Sequence, residues 1–190
     1  MPFHLNEFIE NCQCAIKGAK PESKISALVG EAVAESEPVL AALGRPKRAM
    51  IEKLFVSDEL TIINVIWAPK MILMPHNHKV WAVIGVYEGR EDNIFWRRLK
   101  APNEHKIEAA GAKSIGVGEV ASLGKDLIHS VSNPLSAFTS AIHVYGGNFF
   151  EIERSEWEPE TLTECRYDVV KNMGLFEAEN AILKFRETGV

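Results

Sequence analysis

The chain has 190 residues, a formal net charge of −5, 46% hydrophobic residues and 25% charged residues. These values are typical of one soluble globular domain built on a single core. The largest basic cluster is the short run Arg45–Arg48, which is too small for a nucleic-acid surface or an acidic-lipid surface. We therefore expect neither nucleic acid nor a membrane as a partner.

Residues 1–45 predict a helical extension. Apolar residues recur at three- and four-residue spacings from Leu5 to about Leu43. The segment Lys20–Ser23 interrupts the pattern, with Pro21 ending one helix or opening the next. The acidic start lacks the basic residues and apolar run of a signal peptide, and no stretch is long and apolar enough for a transmembrane helix.

Residues 50–150 change to a β pattern. Short runs rich in β-branched and aromatic residues alternate with turn-forming segments such as EGRED, APNE and SNP. Many strands without intervening helices indicate a sandwich or barrel, and a jelly roll fits best. The predicted strand runs are MIEKLFV, LTIINVIWA, VWAVIGVYEG, NIFWRRL, SIGVGEVASL, LIHSVSN and FTSAIHVYGG.

Residues 151–190 form an acidic, turn-rich segment that leads into a final helix. The helix is predicted from about Glu177 to Arg186, with an apolar stripe at Ala178, Ile182 and Phe185. The chain shows no internal repeat. We therefore expect one domain, 1–190, in which helices flank a single β barrel.

The three cysteines are Cys12, Cys14 and Cys165. An odd number of cysteines does not form a disulfide framework, so a reducing compartment such as the cytoplasm is expected. Their spacing also does not match a zinc site. Cys12 and Cys14 are better interpreted as small apolar helix residues.

The segment MPHNHKVWAVIGVYEGR contains the pair His76 and His78. On a strand, residues i and i+2 face the same side, about 6.6 Å apart along the chain. The two imidazoles would therefore project into one space. The motif alone is weak evidence because such pairs also occur by chance, but the long apolar run after it indicates a deeply buried strand.

Two other strands carry histidines. His129 lies in an apolar run that ends in a turn, and a lone histidine there is either a hydrogen-bonded core residue or a metal ligand. With His76 and His78 it completes a set of three imidazoles. His143 and Tyr145 form another i, i+2 pair, either a buried hydrogen-bonded pair or acid–base groups beside a metal.

These residues resemble the cupin superfamily, whose first motif carries H-x-H and whose second carries a histidine followed four residues later by asparagine, here Asn133. The resemblance implies an RmlC-like jelly roll, a double-stranded β-helix. The cupin glutamate ligand is missing, because Ala82 and Val83 occupy its positions. A cupin with three histidines and no glutamate is similar to the thiol dioxygenases, typified by cysteine dioxygenase and 3-mercaptopropionate dioxygenase. Trp67, nine residues before His76, and the H-x-Y pair agree with that branch.

The chain departs from the thiol dioxygenases at three places. Ala141 stands at the serine position of their Ser-x-His-x-Tyr element, and Val83 stands where the mammalian enzymes carry a cysteine crosslinked to the tyrosine. On the strand that supplies their carboxylate-binding arginine, Glu52 or Lys53 aligns. The remaining candidates for that arginine are Arg48, Arg97 and Arg98.

The resemblance implies a non-haem iron(II) dioxygenase that oxidises a small thiol to a sulfinate. His76, His78 and His129 would hold the iron, while Tyr145, oriented by His143, would contact the reactants. Because three neutral imidazoles leave the charge of a divalent ion uncompensated, an anionic substrate, thiolate or enolate, is expected beside dioxygen. Zinc or nickel would also accept these ligands.

Two alternatives remain at this point. One is a three-histidine cupin that cleaves a β-diketone, and the other is a non-catalytic cupin that binds a metal and a ligand. The sequence does not fix the substrate or the oligomeric state, and a homo-oligomer is left open.

Overall fold

The computed structural model of the protein describes residues 2–188 as two antiparallel sheets with helices at both ends. The helices are α1 (Leu5–Ile16), α2 (Pro21–Val33), α3 (Ser36–Leu43) and α4 (Val169–Thr188). The strands are β1 (Met50–Val56), β2 (Thr61–Trp67), β3 (Ile72–Asn77), β4 (Ala82–Glu88), β5 (Arg90–Arg98), β6 (Ile107–Gly116), β7 (Val120–Leu123), β8 (Ile128–Ser132), β9 (Thr139–Tyr145), β10 (Ser155–Trp157) and β11 (Glu164–Arg166).

The strand order shows a jelly roll. One sheet has the order β1-β2-β9-β4-β7 and the other β11-β10-β3-β8-β5-β6. Strands far apart in the chain are neighbours in both sheets, for example β2 with β9 and β3 with β8, as in a long hairpin rolled on itself. The prediction of a mainly β jelly roll with flanking helices is confirmed.

The main core lies between the sheets and forms the wall of the site described below. It combines apolar residues of β2, β3, β4, β8 and β9 with one side of α4. The members that border the site are Ile63, Val65, Trp67, Leu73, Val131, Tyr145 and Phe149. Phe176 of α4 packs against Trp67 with a ring-centroid separation of 5.5 Å.

A second core joins the N-terminal helices to the outer face of the β1-to-β7 sheet. Ile25, Val29 and Val33 of α2 pack against Val83 and Tyr87 of β4. Because helices cover this face, β4 and β9 are buried on both sides, which explains their unbroken apolar sequences. The predicted apolar pattern of the N-terminal helices is confirmed.

The structure corrects several strand predictions. The run SIGVGEVASL is not one strand, since Gly118 (φ +79°) turns the chain between β6 and β7. Glu91 and its neighbours were expected in a turn, yet β5 begins at Arg90, directly after Gly89 (φ +75°). The segment predicted only as turn-rich contains β10 and β11, and Glu156 of β10 pairs with His76 of β3.

The predicted C-terminal helix is too short and its apolar stripe is wrong. The helix begins at Val169, where the Asp168 carboxylate accepts a hydrogen bond from the Lys171 backbone N–H at 3.0 Å. Ile182 and Phe185 are 43% and 62% exposed, so they face solvent. The packed side carries Asn172, Phe176 and Leu183 instead. Within residues 2–188, none of the helices has the length and apolar character needed to cross a bilayer.

Candidate metal centre

Three histidine side chains converge between the sheets. His76 lies near the end of β3, His78 directly follows that strand, and His129 lies opposite His76 on β8. The Nε2 atoms of His76 and His78 are 3.2 Å apart, and those of His78 and His129 are 3.1 Å apart. All three rings are buried. The structure thus brings together the three residues predicted to bind a metal.

The hydrogen bonds of two rings determine which nitrogen is free. Nδ1 of His76 lies 2.9 Å from the Met74 carbonyl oxygen, and Nδ1 of His129 lies 2.7 Å from Asn93 Oδ1. A carbonyl or amide oxygen only accepts, so both Nδ1 atoms carry the proton and donate. The Nε2 lone pairs of both rings are therefore directed at the space shared with His78.

The site favours neutral imidazoles. Burial lowers the pKa of His76 to about 4. Burial and the neighbouring imidazoles also hold the pKa values of His78 and His129 well below the ordinary range. A neutral imidazole is the form that binds a transition metal.

The three Nε2 atoms fit a divalent metal ion. A proton on His78 Nε2 could satisfy one of the other two lone pairs at most, whereas a cation at the centre satisfies all three. Buried acceptors without a partner are costly, so the arrangement itself favours a bound cation. Imidazole ligands suit iron, zinc, nickel and copper.

No carboxylate completes the ligand set among residues 2–188. Ala82 lies opposite Tyr145 on the neighbouring strand, on the side that faces the site, while Val83 packs into the second core. The side chain of Val83 thus belongs to the opposite face of the sheet from Tyr145. No carboxylate occurs among the described residues that line the cavity: Ile51, Ile63, Val65, Trp67, Leu73, His76, His78, His129, Val131, His143, Tyr145, Phe149 and Tyr167.

The cavity beside the histidines is small and mostly apolar, with a volume of about 30 Å³. Tyr145 meets His78 edge-on, with ring centroids 5.1 Å apart, and stacks on Phe149 at 4.0 Å. These rings exclude bulk water, so electrostatic interactions inside the cavity are stronger than at the surface.

His143 and Tyr145 also reach the cavity, as predicted. Nδ1 of His143 is 3.0 Å from the Tyr145 hydroxyl, and Nε2 is 3.1 Å from Oε1 of Glu91. Burial raises the pKa of Tyr145, so its hydroxyl remains protonated. Ser140 points to the other face, where its hydroxyl donates to Glu88 at 3.2 Å. The second ring nitrogen of His143 is therefore contacted by Glu91 and not by a serine.

Arg154 is a buried residue beside the site that the sequence did not reveal. It is buried beside the site, with its guanidinium 3.9 Å from the ring centroid of Phe149 and 4.1 Å from that of Tyr167. Its Nη1 donates to the Phe149 carbonyl, while its Nε is buried without a partner. Its charge helps lower the pKa values of His76 and His78, which places it within electrostatic reach of the site. No periodic pattern marks this loop position in the sequence.

The arginines suggested by sequence are all engaged elsewhere. Arg48 pairs with Glu177 at 2.8 Å, Arg97 pairs with Glu108 at 2.8 Å, and Arg98 pairs with Glu164. On β1, Glu52 accepts a hydrogen bond from Asn64, and Lys53 lies over the ring of Phe150. None of these side chains lines the cavity, and Arg154 is not among its lining residues either. Arg154 differs from them in its burial and in its contacts with Phe149 and Tyr167.

A second group of possible ligands, Glu156, Glu158 and Cys165, lies against a lysine that contacts both of its carboxylates. Lys171 Nζ lies 2.9 Å from Glu156 Oε1 and 3.2 Å from Glu158 Oε1. Because the ammonium group occupies the position that a cation would take, this cluster is an ion-pair network.

No known family profile matches the sequence. The two rolled antiparallel sheets, with H-x-H at the end of one strand and a histidine on the strand beside it, decide the architecture. The fold is a double-stranded jelly roll of two antiparallel sheets.

Three solved structures are similar to part of this chain. A cupin-family protein with a double-stranded β-helix fold from Methanocaldococcus jannaschii matches 57% of this chain and 88% of its own, at 11% identity and a TM-score of 0.46. An oxalate oxidase bound to glycolate matches 55% of this chain and 54% of its own, at 16% identity and a TM-score of 0.42. An oxalate decarboxylase from Bacillus subtilis matches 55% and 26%, at 15% identity and a TM-score of 0.42. At these identities the likeness concerns the fold alone.

Proposed function

We propose that the protein is a non-haem iron(II) dioxygenase that converts a small thiol bearing a carboxylate into the corresponding sulfinate. In this reaction a thiolate and one dioxygen molecule combine, and both oxygen atoms end on sulfur. Sulfur is oxidised and dioxygen is reduced, so no external reductant is needed. The observation that carries the proposal is the convergence of three neutral imidazoles beside a buried arginine.

The ligand set supports an anionic substrate. His76, His78 and His129 would hold the ion and bring no negative charge. Since the cavity also has no carboxylate among its described lining residues, the charge of a divalent ion would be balanced by the substrate. A thiolate meets this requirement and is a strong ligand for iron.

The position of Arg154 is evidence that the substrate carries a second negative group besides the thiolate. A guanidinium binds a carboxylate through charge-assisted hydrogen bonds. The buried Nε of Arg154 has a donor without an acceptor, and a ligand carboxylate would provide one. We therefore infer a thiol with its carboxylate a few atoms from sulfur, which distinguishes the substrate from a β-diketone.

The remaining residues of the site position the reactants. Tyr145 places its hydroxyl in the cavity, and His143 holds that hydroxyl through Nδ1. The ring of Phe149 stacks on the ring of Tyr145 and also packs against the guanidinium of Arg154. When bound, iron(II) would supply open positions at which the thiolate and dioxygen meet.

Metal analysis combined with oxygen uptake tests this proposal. The protein is purified without added metal, its metal content is measured, and the iron-loaded form is given 3-mercaptopropionate, cysteine, 2-mercaptoethanol and 2,4-pentanedione. We expect uptake of one dioxygen per sulfinate with a carboxylate-bearing thiol and much weaker uptake with 2-mercaptoethanol.

Three results would overturn the proposal in different ways. Uptake with 2,4-pentanedione alone would assign the site to carbon–carbon bond cleavage. Binding of iron and thiol without any oxygen uptake would indicate a non-catalytic cupin. Equal uptake with both carboxylate-bearing and carboxylate-free thiols would remove the role proposed for Arg154.

A further inference from the structure

The side chain of Glu91 is fully buried, with an exposed fraction of 0%, and lies outside the group of possible metal ligands. It lies near the start of β5 and reaches between Trp67 and His143. Its Oε1 is 2.6 Å from Trp67 Nε1 and 3.1 Å from His143 Nε2, while its Oε2 is buried without a partner. Such a group needs a reason to be inside the barrel.

The indole of Trp67 determines the role of the shared oxygen. An indole N–H only donates, so Oε1 of Glu91 must accept there. The same oxygen contacts His143 Nε2. The simplest satisfied arrangement has Oε1 accepting from both neighbours, with the single N–H proton of the imidazole on Nε2.

This arrangement fixes the other side of the imidazole. With the proton on Nε2, Nδ1 of neutral His143 carries a lone pair and can accept the hydroxyl proton of Tyr145, 3.0 Å away. The oxygen lone pairs of Tyr145 would then remain available to the cavity that Tyr145 lines.

We propose that Glu91 is a positioning residue that holds His143 in its Nε2–H tautomer and thereby makes Tyr145 a hydrogen-bond acceptor toward the metal-site ligand. In the chain Trp67–Glu91–His143–Tyr145, which runs from the core to the cavity, Oε1 of Glu91 accepts from Trp67 and His143. Nδ1 of His143 accepts from the Tyr145 hydroxyl. A ligand that places an N–H or O–H group beside Tyr145 is favoured over one that places only acceptors there. The inference rests on the proposed function only in assigning the cavity to a substrate.

The tautomer can be measured directly, without any enzymatic assay. Protein with ¹⁵N-labelled histidine is prepared metal-free and zinc-loaded, and the couplings between ring nitrogens and ring carbon-bound protons identify the protonated nitrogen of each imidazole. The His143 signals are assigned by their loss in His143→Gln. We expect a protonated Nε2 and an unprotonated Nδ1 in the wild-type protein.

Three variants test whether Glu91 and Trp67 act as described. Glu91→Gln should keep the tautomer, because Trp67 still requires an oxygen at that position. Trp67→Phe should also keep it, because a carboxylate oxygen still accepts from His143. The double variant Trp67→Phe with Glu91→Gln should lose the preference, since the amide can now rotate and present its NH₂ group to Nε2.

Glu91→Leu removes the acceptor altogether and should give the same loss as the double variant. Thermal unfolding of each variant establishes which ones are folded, and the double variant keeps the test available where Glu91→Leu does not fold. A protonated Nδ1 in the wild-type protein, as a neutral ring or an imidazolium, would overturn the proposal. So would a retained Nε2–H preference in the double variant.

The outcome is separable from that of the proposed function. A correct tautomer pattern without oxygen uptake leaves the role of Glu91 intact and removes the dioxygenase assignment. Oxygen uptake together with the opposite tautomer of His143 would keep the dioxygenase assignment and remove the role of Glu91. In an active protein, the double variant should lower kcat more than it changes KM for the thiol.

Discussion

His76 of β3 and His129 of β8 are direct partners in an antiparallel ladder, with ring centroids 4.7 Å apart. Cross-strand partners on one face of a sheet lie close enough for their side chains to interact directly. The pairing therefore gives two ligands at once, and His78, directly after β3, adds the third. The geometry of the site depends on this register, because a slip by one residue would turn His129 to the other face.

His78→Ala is expected to abolish both bound iron and oxygen uptake. The two remaining imidazoles, on neighbouring strands, cannot supply the third coordinating nitrogen of the site. Iron content after purification and dioxygen consumption check this result. His105→Ala is the matched control, because His105 is exposed and outside the site. An undiminished iron content in His78→Ala would remove the ligand assignment.

Asn93→Ala is expected to weaken metal binding without removing a ligand. Asn93 Oδ1 accepts from His129 Nδ1 at 2.7 Å, and loss of such a contact typically lowers metal affinity about 10- to 100-fold. Titration with a competing chelator measures the change. Asn93→Asp keeps an acceptor and should lose less, whereas an equal loss in both variants would argue against the hydrogen bond as the cause.

Arg154→Met is expected to raise KM for a carboxylate-bearing thiol about 10- to 150-fold, since a charged hydrogen bond contributes about 1.5–3 kcal/mol. KM for 2-mercaptoethanol should change little. Steady-state kinetics with both thiols provide the comparison. Arg166→Met, which removes an exposed arginine paired with Glu153, serves as the control. A parallel rise in KM for both thiols would contradict carboxylate binding.

Metal-free protein should lose stability as the pH falls from about 6.5 to 4. The pKa of His76 is about 4 in the folded protein, against 6.5 for an ordinary histidine. Between these values the unfolded chain binds more protons than the folded protein, so acidification favours unfolding. Most of the stability that depends on neutral His76 is lost by about pH 4. His76 alone accounts for about 3 kcal/mol, and the lowered pKa values of His78 and His129 act in the same direction.

Denaturant unfolding at several pH values measures this dependence. His76→Asn should flatten the slope in this window, and His105→Asn should leave it unchanged. A metal-free wild-type protein that is equally stable at pH 4.5 and pH 6.5 would show that the buried imidazoles are not neutral.

Gly85→Ala is expected to destabilise the contact between α2 and β4. A Cβ at this position would lie 2.4 Å from Val29 Cγ1, so the helix must shift or the side chain must leave its rotamer. Overpacking of this kind costs about 1–3 kcal/mol. Gly30→Ala is the matched control, because its Cβ would meet Val120 at an ordinary 3.7 Å and alanine favours a helix by about 1 kcal/mol. Chemical denaturation should therefore give opposite signs for the two variants.

The sequence by itself predicted the class of the fold and the three histidines of the candidate metal centre. Strand periodicity is a local property, because it records which faces of a strand are buried, and two-sided burial left unbroken apolar runs in β4 and β9. The same periodicity predicted that His76 and His78 share one face of their strand, and that His143 and Tyr145 share one face of theirs. The pairing of His129 with His76 followed only from the resemblance of their motifs to those of cupins.

The tertiary structure alone decided what surrounds the ligands. The sequence pattern predicts that Glu91 is part of a polar turn. It reaches His143 only because β5 begins directly after Gly89. Arg154 lies in the loop before β10, and it meets the site because β10 pairs with β3 at His76. Local sequence patterns report burial but not which distant segments meet. Glu91 and Arg154, which we propose hold His143 and bind a substrate carboxylate, were therefore visible only in the folded chain.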